Sequence, residues 1–334
     1  MKRKLILLAI AFQLLVPAWM AAERELVVQS GRTLYLRTAP IDPRDIFRGD
    51  YVRLDYEASS FSARQASEQI REEGIEKGSV VYARLESGPN GLSRAIDVTR
   101  ERPASGPFLR GRALHRWRPG GGGRALQVRY GIEKYFVEQG RGKAMEQRRG
   151  QRQGIQTPLE VELAVDTSGT AVITGHRWSP VGIGLAVKRP VDPTAEPQPD
   201  SVVMELTLQN VSDRPLSLVL LPQLCSLALE PVKSAPLDLK PERLECSGLG
   251  PAAEHLVELA PDDSRSFTFD FNEERWQVPV NGEPTPIGKL EWGQRFRLVY
   301  RSPEPQEILQ LPEQTHIWQG ELPSPAFHGR GRID

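Results

Sequence analysis

Hydrophobic and polar positions follow three regimes along this chain. Residues 5–20 are almost all apolar, interrupted by Gln13 and Pro17 and preceded by Lys2, Arg3 and Lys4. From residue 25 onward, short stretches alternate apolar and polar with period two, which predicts strands with one buried face. The first two are 25–29 and 33–37, separated by a turn at Ser30-Gly31. A proline- and aspartate-rich turn then runs into a third, through Tyr51, Val52, Leu54 and Tyr56, with Gly49 free to take positive φ. Residues 62–73 carry the clearest helical period. Ser62 and Gln65 predict a capping box, Ala63, Ala66 and Ile70 share a face, and Gly74 ends the helix.

Further strands are expected at 78–85 and 92–98, joined by a hairpin turn at Pro89-Asn90-Gly91. Others follow at 108–117 and 125–130, on either side of a glycine-run loop at 120–123. A short helical turn is expected at 145–149, then a hairpin of 159–165 with 170–178. Four prolines between 190 and 199, with acids between them, predict a stiff linker. Beyond it, strands at 202–220, 224–229, 255–259, 265–271, 295–300 and 315–322, the first broken by an Asn210-to-Pro215 turn, make about seven. That count and spacing predict a sandwich, and the pattern resembles immunoglobulin-like modules of bacterial exported proteins. The expected fold is therefore mainly β: a small β-barrel or sandwich domain with one short helix, then an immunoglobulin-like β-sandwich. The expected division is 1–22 as signal anchor or signal peptide, 24–188 as the first domain and 189–200 as the linker. Residues 201–323 form the second domain and 324–334 a flexible tail.

Residues Gly49-Asp50-Tyr51-Val52-Arg53-Leu54-Asp55-Tyr56 fill the motif that names the GDYXXLXY protein family, and Asp42-Pro43-Arg44-Asp45 and Arg48 are also similar to it. A second segment, Tyr130-Gly131-Ile132-Glu133-Lys134-Tyr135, resembles the same family. Gln139 between Glu138 and Gly140 departs from the pattern that follows it. The resemblance spans about residues 24–180. It implies a lineage and a location rather than a reaction: the N-terminal segment is kept as an anchor, and a polytopic membrane protein is the expected partner.

The basic residues 2–4 ahead of an apolar run mark a targeting element. Two fates stay open: a cleaved signal peptide with small residues at Ala18, Ala21 and Ala22, or a single anchor over 5–22. Either leaves the bulk of the chain in the periplasm or outside the cell, with the anchored form held in the inner membrane. Cys225 and Cys246 are the only cysteines, and an oxidising compartment predicts a disulfide between them, with two buried thiols as the alternative. The net charge is zero, but unevenly placed. Residues 1–191 hold 31 Lys and Arg against 20 Asp and Glu, leaving 12 against 23 for the rest. The basic half would face anionic lipid headgroups or the acidic half. Export makes nucleic acid an unsuitable partner for the arginines.

Candidate chemistry is sparse. Asp42, Asp45 and Asp50 crowd one turn as Ca²⁺ ligands would, but their spacing is not an EF-hand loop and Arg44, Arg48 and Arg53 are at hand to pair them. His115, His176, His255, His316 and His328 fall into no ligand spacing, and no Gly-x-Ser-x-Gly or Ser-x-x-Lys occurs. A Ser/Lys dyad is disfavoured because the first half's basic residues are overwhelmingly arginine, with only Lys77, Lys134 and Lys143 between the anchor and Lys188, and arginine cannot serve as a base. No cofactor or metal is expected. The expectation is a non-enzymatic accessory protein. The alternative is an exported hydrolase, or a small-ligand or cell-wall-binding protein, with a site at Arg44, Asp45, Arg48, Asp50, Tyr51 and Tyr56.

Overall fold

The computed structural model describes residues 2–39, 51–88, 90–119, 125–138, 140–150, 154–188, 203–232, 239–290, 293–311, 316–329 and 331–333, without the side chains of Lys2, 5–9 and Tyr51. Helix α1 (Lys2–Ser30) comes first. Its last two turns occupy 25–29, where alternation predicted a strand. A helix already propagating gains one hydrogen bond per added residue, and side chains reinforce it: Gln29 donates to Glu25 at 2.8 Å and the Ser30 hydroxyl to Leu26 O at 2.6 Å. Val27 is buried against the domain that follows. Further back, Phe12, Leu14, Leu15 and Trp19 are exposed. Among the described residues, no helix is long and apolar enough to cross a membrane.

The turn out of α1 has no slack. Gly31 N–H donates to Val27 O at 2.8 Å, and a Cβ at Gly31 would lie 2.4 Å from that oxygen and 2.9 Å from Val165 N. The first unit then forms strands β1 (Arg32–Arg37), β2 (Tyr51–Arg53), β3 (Ser60–Phe61), β4 (Val80–Ser87) and β5 (Leu92–Thr99). They are followed by β6 (Phe108–Ala113), β7 (Leu126–Arg129), β8 (Lys134–Phe136), β9 (Leu159–Val165) and β10 (Ala171–Trp178). Eight build one sheet in the order β10-β9-β1-β5-β4-β6-β7-β3. Every pair is antiparallel except β1 with β5. The sheet curls so that Arg110 N, in the middle of β6, donates to Gly169 O in the β9–β10 turn at 2.8 Å. Its inner face gathers Leu36, Tyr56, Phe61, Ile70, Val81, Leu109, Leu126 and Leu163 into one core.

The helix expected over 62–73 forms in two pieces. Gln65 Oε1 accepts from the Ser62 N–H and hydroxyl, as a capping box predicts. Ala66 then bridges to Val98, and Ser67 N donates to Val98 O at 2.9 Å. Sheet bonds to β5 replace helical ones there, so α2 begins afresh (Glu68–Glu73) with Ser67 as its cap and ends at Gly74, φ 73°. The helical turn expected at 145–149 is a longer helix, α3 (Arg141–Arg149).

The second unit holds β11 (Val181–Lys188), β12 (Val203–Asn210), β13 (Leu216–Val219), β14 (Leu227–Pro231), β15 (Leu256–Leu259) and β16 (Ser264–Asp270). After these come β17 (Val278–Val280), β18 (Glu283–Thr285), β19 (Arg295–Arg301), β20 (Glu321–Pro323) and β21 (Phe327–His328). Sheet β11-β12-β16 and sheet β14-β19-β20, with β21 on β19, share one core, a layering consistent with a β-sandwich. Along β12, Met204, Leu206, Leu208 and Asn210 alternate inward. Asn210 holds the expected turn: its Oδ1 accepts from Ser212 N–H and hydroxyl, and its Nδ2 donates to Arg214 O and Leu259 O. The β17–β18 hairpin turns on Asn281-Gly282, φ 53° and 86°, a two-residue signal absent from the strand expectations above.

Two boundaries need correcting. Within 324–334, expected as a flexible tail, Phe327–His328 pairs with β19 and Phe327 is buried in the second core. Strand β11, expected in the first domain, pairs antiparallel with β12 from Val181↔Asn210 to Lys188↔Val203, and its Val181, Ile183 and Leu185 lie in the second core. The proline-rich segment 189–200 lies outside the described residues. It nonetheless joins two paired strands of one sheet, so it is a connection within the second unit, and the chain crosses between units just before Val181. Among the described residues, ion pairs between the two units run in both senses. Arg94 of the first unit pairs with Glu321 of the second at 3.3 Å, while Arg297 pairs with Glu57 at 3.7 Å in the reverse sense.

Candidate functional site

The two motif segments meet. Strand β2 pairs with β8 through Tyr51↔Phe136, Val52↔Tyr135 and Arg53↔Lys134, and Leu54 N continues the ladder to Glu133 O at 2.9 Å. Two tyrosines then lock the segments in opposite directions. Tyr56 OH donates to Ile132 O at 2.8 Å, and Tyr130 OH donates to Ala58 O. Between them the tight turn at Gly131, φ 88°, is closed by the Glu133 carboxylate, which accepts from Tyr130 N at 2.6 Å and Gly131 N at 3.0 Å. Burial, and then the nearby Glu133 charge, pushes both phenols far above their ordinary range. They stay neutral donors at any physiological pH.

Of the candidate binding residues, Arg44, Asp45, Arg48 and Asp50 lie outside the described residues, as do Asp42 and the Ca²⁺ reading built on it. Tyr51 is placed by its backbone alone. Tyr56 is 1% exposed and sits in the core rather than at a surface. Among the described residues, no three or more His, Cys, Asp or Glu side chains are grouped to hold a metal ion.

Residues 13–175 match the family model described as GDYXXLXY protein. This part of the chain belongs to the GDYXXLXY family. No curated protein and no solved structure matches the chain.

Beside the motif junction, the first unit carries a partly exposed aromatic and basic surface. Tyr135 OH lies 3.0 Å from His176 Nδ1, their rings meeting edge to face at 5.5 Å. His176 meets Trp178 the same way at 6.3 Å, and the Arg148 guanidinium of α3 stands 5.4 Å from the Trp178 ring centre. A bulge between Ile173 and Gly175 re-aims β10 just ahead of His176, as bulges beside sites do. Partial burial, then the charges of Arg148 and Arg141, lowers the imidazole below its ordinary pKa, so His176 is neutral at pH 7. Nothing in the sequence singled His176 out from the other four histidines; only the β9–β10 register sets it opposite Val161 and within reach of Tyr135.

Sequence reasoning also missed a charged cluster where the GDYXXLXY region meets the second unit. Glu160, 3% exposed, accepts from Arg37 at 3.2 Å and Arg177 at 2.7 Å. Arg37, 5% exposed, also donates across to Glu321 O, and Arg177 lies over the Tyr35 ring at 3.9 Å. The only sequence signal was the pair of acids, Glu160 and Glu162, inside the otherwise apolar stretch Leu159–Val165. In the second unit Cys225 and Cys246 are disulfide-bonded, the first of the two alternatives expected for this pair. The bridge holds a turn whose carbonyls at Gln223, Leu224 and Leu227 accept from Arg243, itself stacked on Trp276 at 4.5 Å. An acidic depression of about 680 Å³ lies alongside, lined by Glu242, Leu244, Glu245, Glu273 and Glu274 among others.

Proposed function

We propose that this is an inner-membrane-anchored envelope protein whose bulk faces the periplasm or the cell exterior. In this reading it serves as a non-enzymatic accessory or interaction subunit beside a polytopic membrane protein. The observation that carries the reading is the N-terminal segment: residues 5–22 are eighteen residues without a charge, behind three basic ones, and apolar side chains stand exposed from Ile10 to Met20 along α1. By length alone, eighteen uncharged helical residues reach the lower end of what a short span needs, and the basic flank would stay on the cytoplasmic side. The disulfide supports an oxidising compartment. The tyrosines Tyr56 and Tyr130 of the two family motifs are engaged in joining those motifs, which supports an architectural rather than catalytic use of them.

The full chain, tagged at its C-terminus, tests this in three readouts. Anchoring predicts retention in the pellet after an alkaline carbonate wash, an intact N-terminus by mass, and cleavage of the tag by protease added to spheroplasts. A soluble product beginning near residue 22 would replace the anchor with a cleaved signal peptide. Cross-linking before purification should recover a polytopic protein, and recovery of the chain alone counts against the accessory role. A second reading, small-ligand binding, is favoured by the Tyr135–His176–Trp178 surface beside β2. It predicts that ligand titration shifts the His176 ring resonances before any others.

A further inference from the structure

Among the exposed arginines of the first unit that pair with no carboxylate among the described residues, Arg32, Arg102, Arg110, Arg112 and Arg129 lie on β1, β6, β7 and the approach to β6. The same sheet supplies a comparison. On the outer face of β4 and β5, Arg84 pairs with Asp97 and Arg94 with Glu86. On β6 and β7 the corresponding positions carry arginine against arginine, because Arg112 and Arg129 are direct cross-strand partners. Such neighbours have Cα atoms only about 4.5–5.5 Å apart, and like charges there destabilise a sheet. Arg110 lies two residues before Arg112, on the same face.

The lower end of this stripe is tied to the foot of α1. Arg110 N donates to Gly169 O and Arg102 to Thr167 O, both in the turn that follows Val165. Val165 pairs with Arg32, the first residue of β1, and α1 packs on β9 and β10 there. Carboxylates on these segments are partly occupied. Asp166 accepts from Ser168 N, Ser168 Oγ and Thr170 N, and Glu25 accepts from Gln29, leaving Glu23 and Glu101 exposed. Residues 23–30 continue the helix past the uncharged run by about 12 Å. A headgroup layer is about 5–7 Å deep, so the foot of β1 stands roughly one Debye length from the phosphates.

We propose that Arg32, Arg102, Arg110, Arg112 and Arg129 form a docking surface for the phosphate headgroups of anionic lipid, holding the first unit against the bilayer. This rests on the anchoring proposed above. Guanidinium groups suit it, since each donates a planar fork to phosphate oxygens.

The test reconstitutes the full chain in nanodiscs of phosphatidylcholine alone or of phosphatidylcholine and phosphatidylglycerol at 7:3. Thermal melting is followed at 50 and 500 mM NaCl. The expected result is a melting temperature roughly 5 °C higher with phosphatidylglycerol at low salt. That rise should vanish at high salt and in the Arg112→Gln/Arg129→Gln variant, and persist in Arg84→Gln, whose arginine has its own acid. Overturning results are the absence of a phosphatidylglycerol effect in the wild type, or an effect that survives Arg112→Gln/Arg129→Gln. Polyglutamate or glycerol phosphate stabilising the chain in phosphatidylcholine discs, where phosphatidylglycerol does not, would assign the surface to an acidic protein or a soluble anion instead. Failure of the chain to enter the discs would refute the anchor and the docking together; entry without a lipid effect would refute the docking alone.

Discussion

Replacing Tyr56 by Phe removes one oxygen from the place where the two family motifs are joined. The hydroxyl donates to Ile132 O at 2.8 Å, with Tyr56 1% and Ile132 3% exposed. Water cannot substitute at that depth, so the variant leaves a buried carbonyl without this donor. An unmet buried partner costs about 1–3 kcal/mol, more than the roughly 1 kcal/mol net value of an ordinary hydrogen bond. For a unit of this size each kcal/mol corresponds to about 2–4 °C, so Tyr56→Phe should lower the first unit's melting temperature by roughly 2–12 °C. Tyr35 provides the comparison. Its hydroxyl reaches Glu162 at 3.3 Å from a partly exposed position, where solvent replaces the bond and Tyr35→Phe should cost little. Thermal melting of both variants by circular dichroism, with limited proteolysis to identify which unit opens, measures the difference. Equal costs for the two variants, or a Tyr56→Phe cost below about 0.5 kcal/mol, would refute the claim that this hydroxyl joins the motifs. The raised phenol pKa values of Tyr56 and Tyr130 add an alkaline signature. The unfolded tyrosines ionise near pH 10 while the folded ones remain neutral, so this stability is full below pH 10 and declines as pH rises beyond it.

Glu160→Ala should destabilise the junction of the two units by about 3–5 kcal/mol by stranding the buried Arg37 charge, read as a lower denaturant midpoint; a change under 1 kcal/mol would mean that the Arg37 charge finds solvent. Reducing Cys225–Cys246, which are 21 residues apart, should cost about 3 kcal/mol by loop-closure entropy. Urea unfolding with and without reductant checks this, and coincident curves would contradict it. The His176 imidazole, lowered by burial and the arginines Arg148 and Arg141, should titrate below 6.5 by NMR. Because the unfolded histidine binds its proton more tightly, this contribution is present above pH 6.5 and lost as pH falls through the folded pKa; a midpoint at or above 6.5 would overturn the assignment.

Much of the architecture was legible because it is written in local signals. Period-two alternation marks β4, β5, β9, β12 and β19, since successive side chains of a strand face opposite ways. The Asn210 turn, the hairpin before Leu92 and the capping box at Ser62 follow from short side chains bonding their own backbone. Other features were decided only when the chain closed on itself. Residues 25–29 alternate like a strand but belong to a helix, because α1 arrives already formed and buries Val27. Residues 62–73 carry one helical signal, but sheet bonds to Val98 break it in two. The proline-rich segment resembles a linker, but the partner of β11 is β12. The Tyr56–Ile132 bond, the Arg37–Glu160 pair and the Tyr135–His176 contact join residues 76, 123 and 41 apart. Backbone chirality and side-chain chemistry act over a few residues and can be read in order along the chain. Which strand lies beside which is set by burying one continuous core, and that choice brought these residues together.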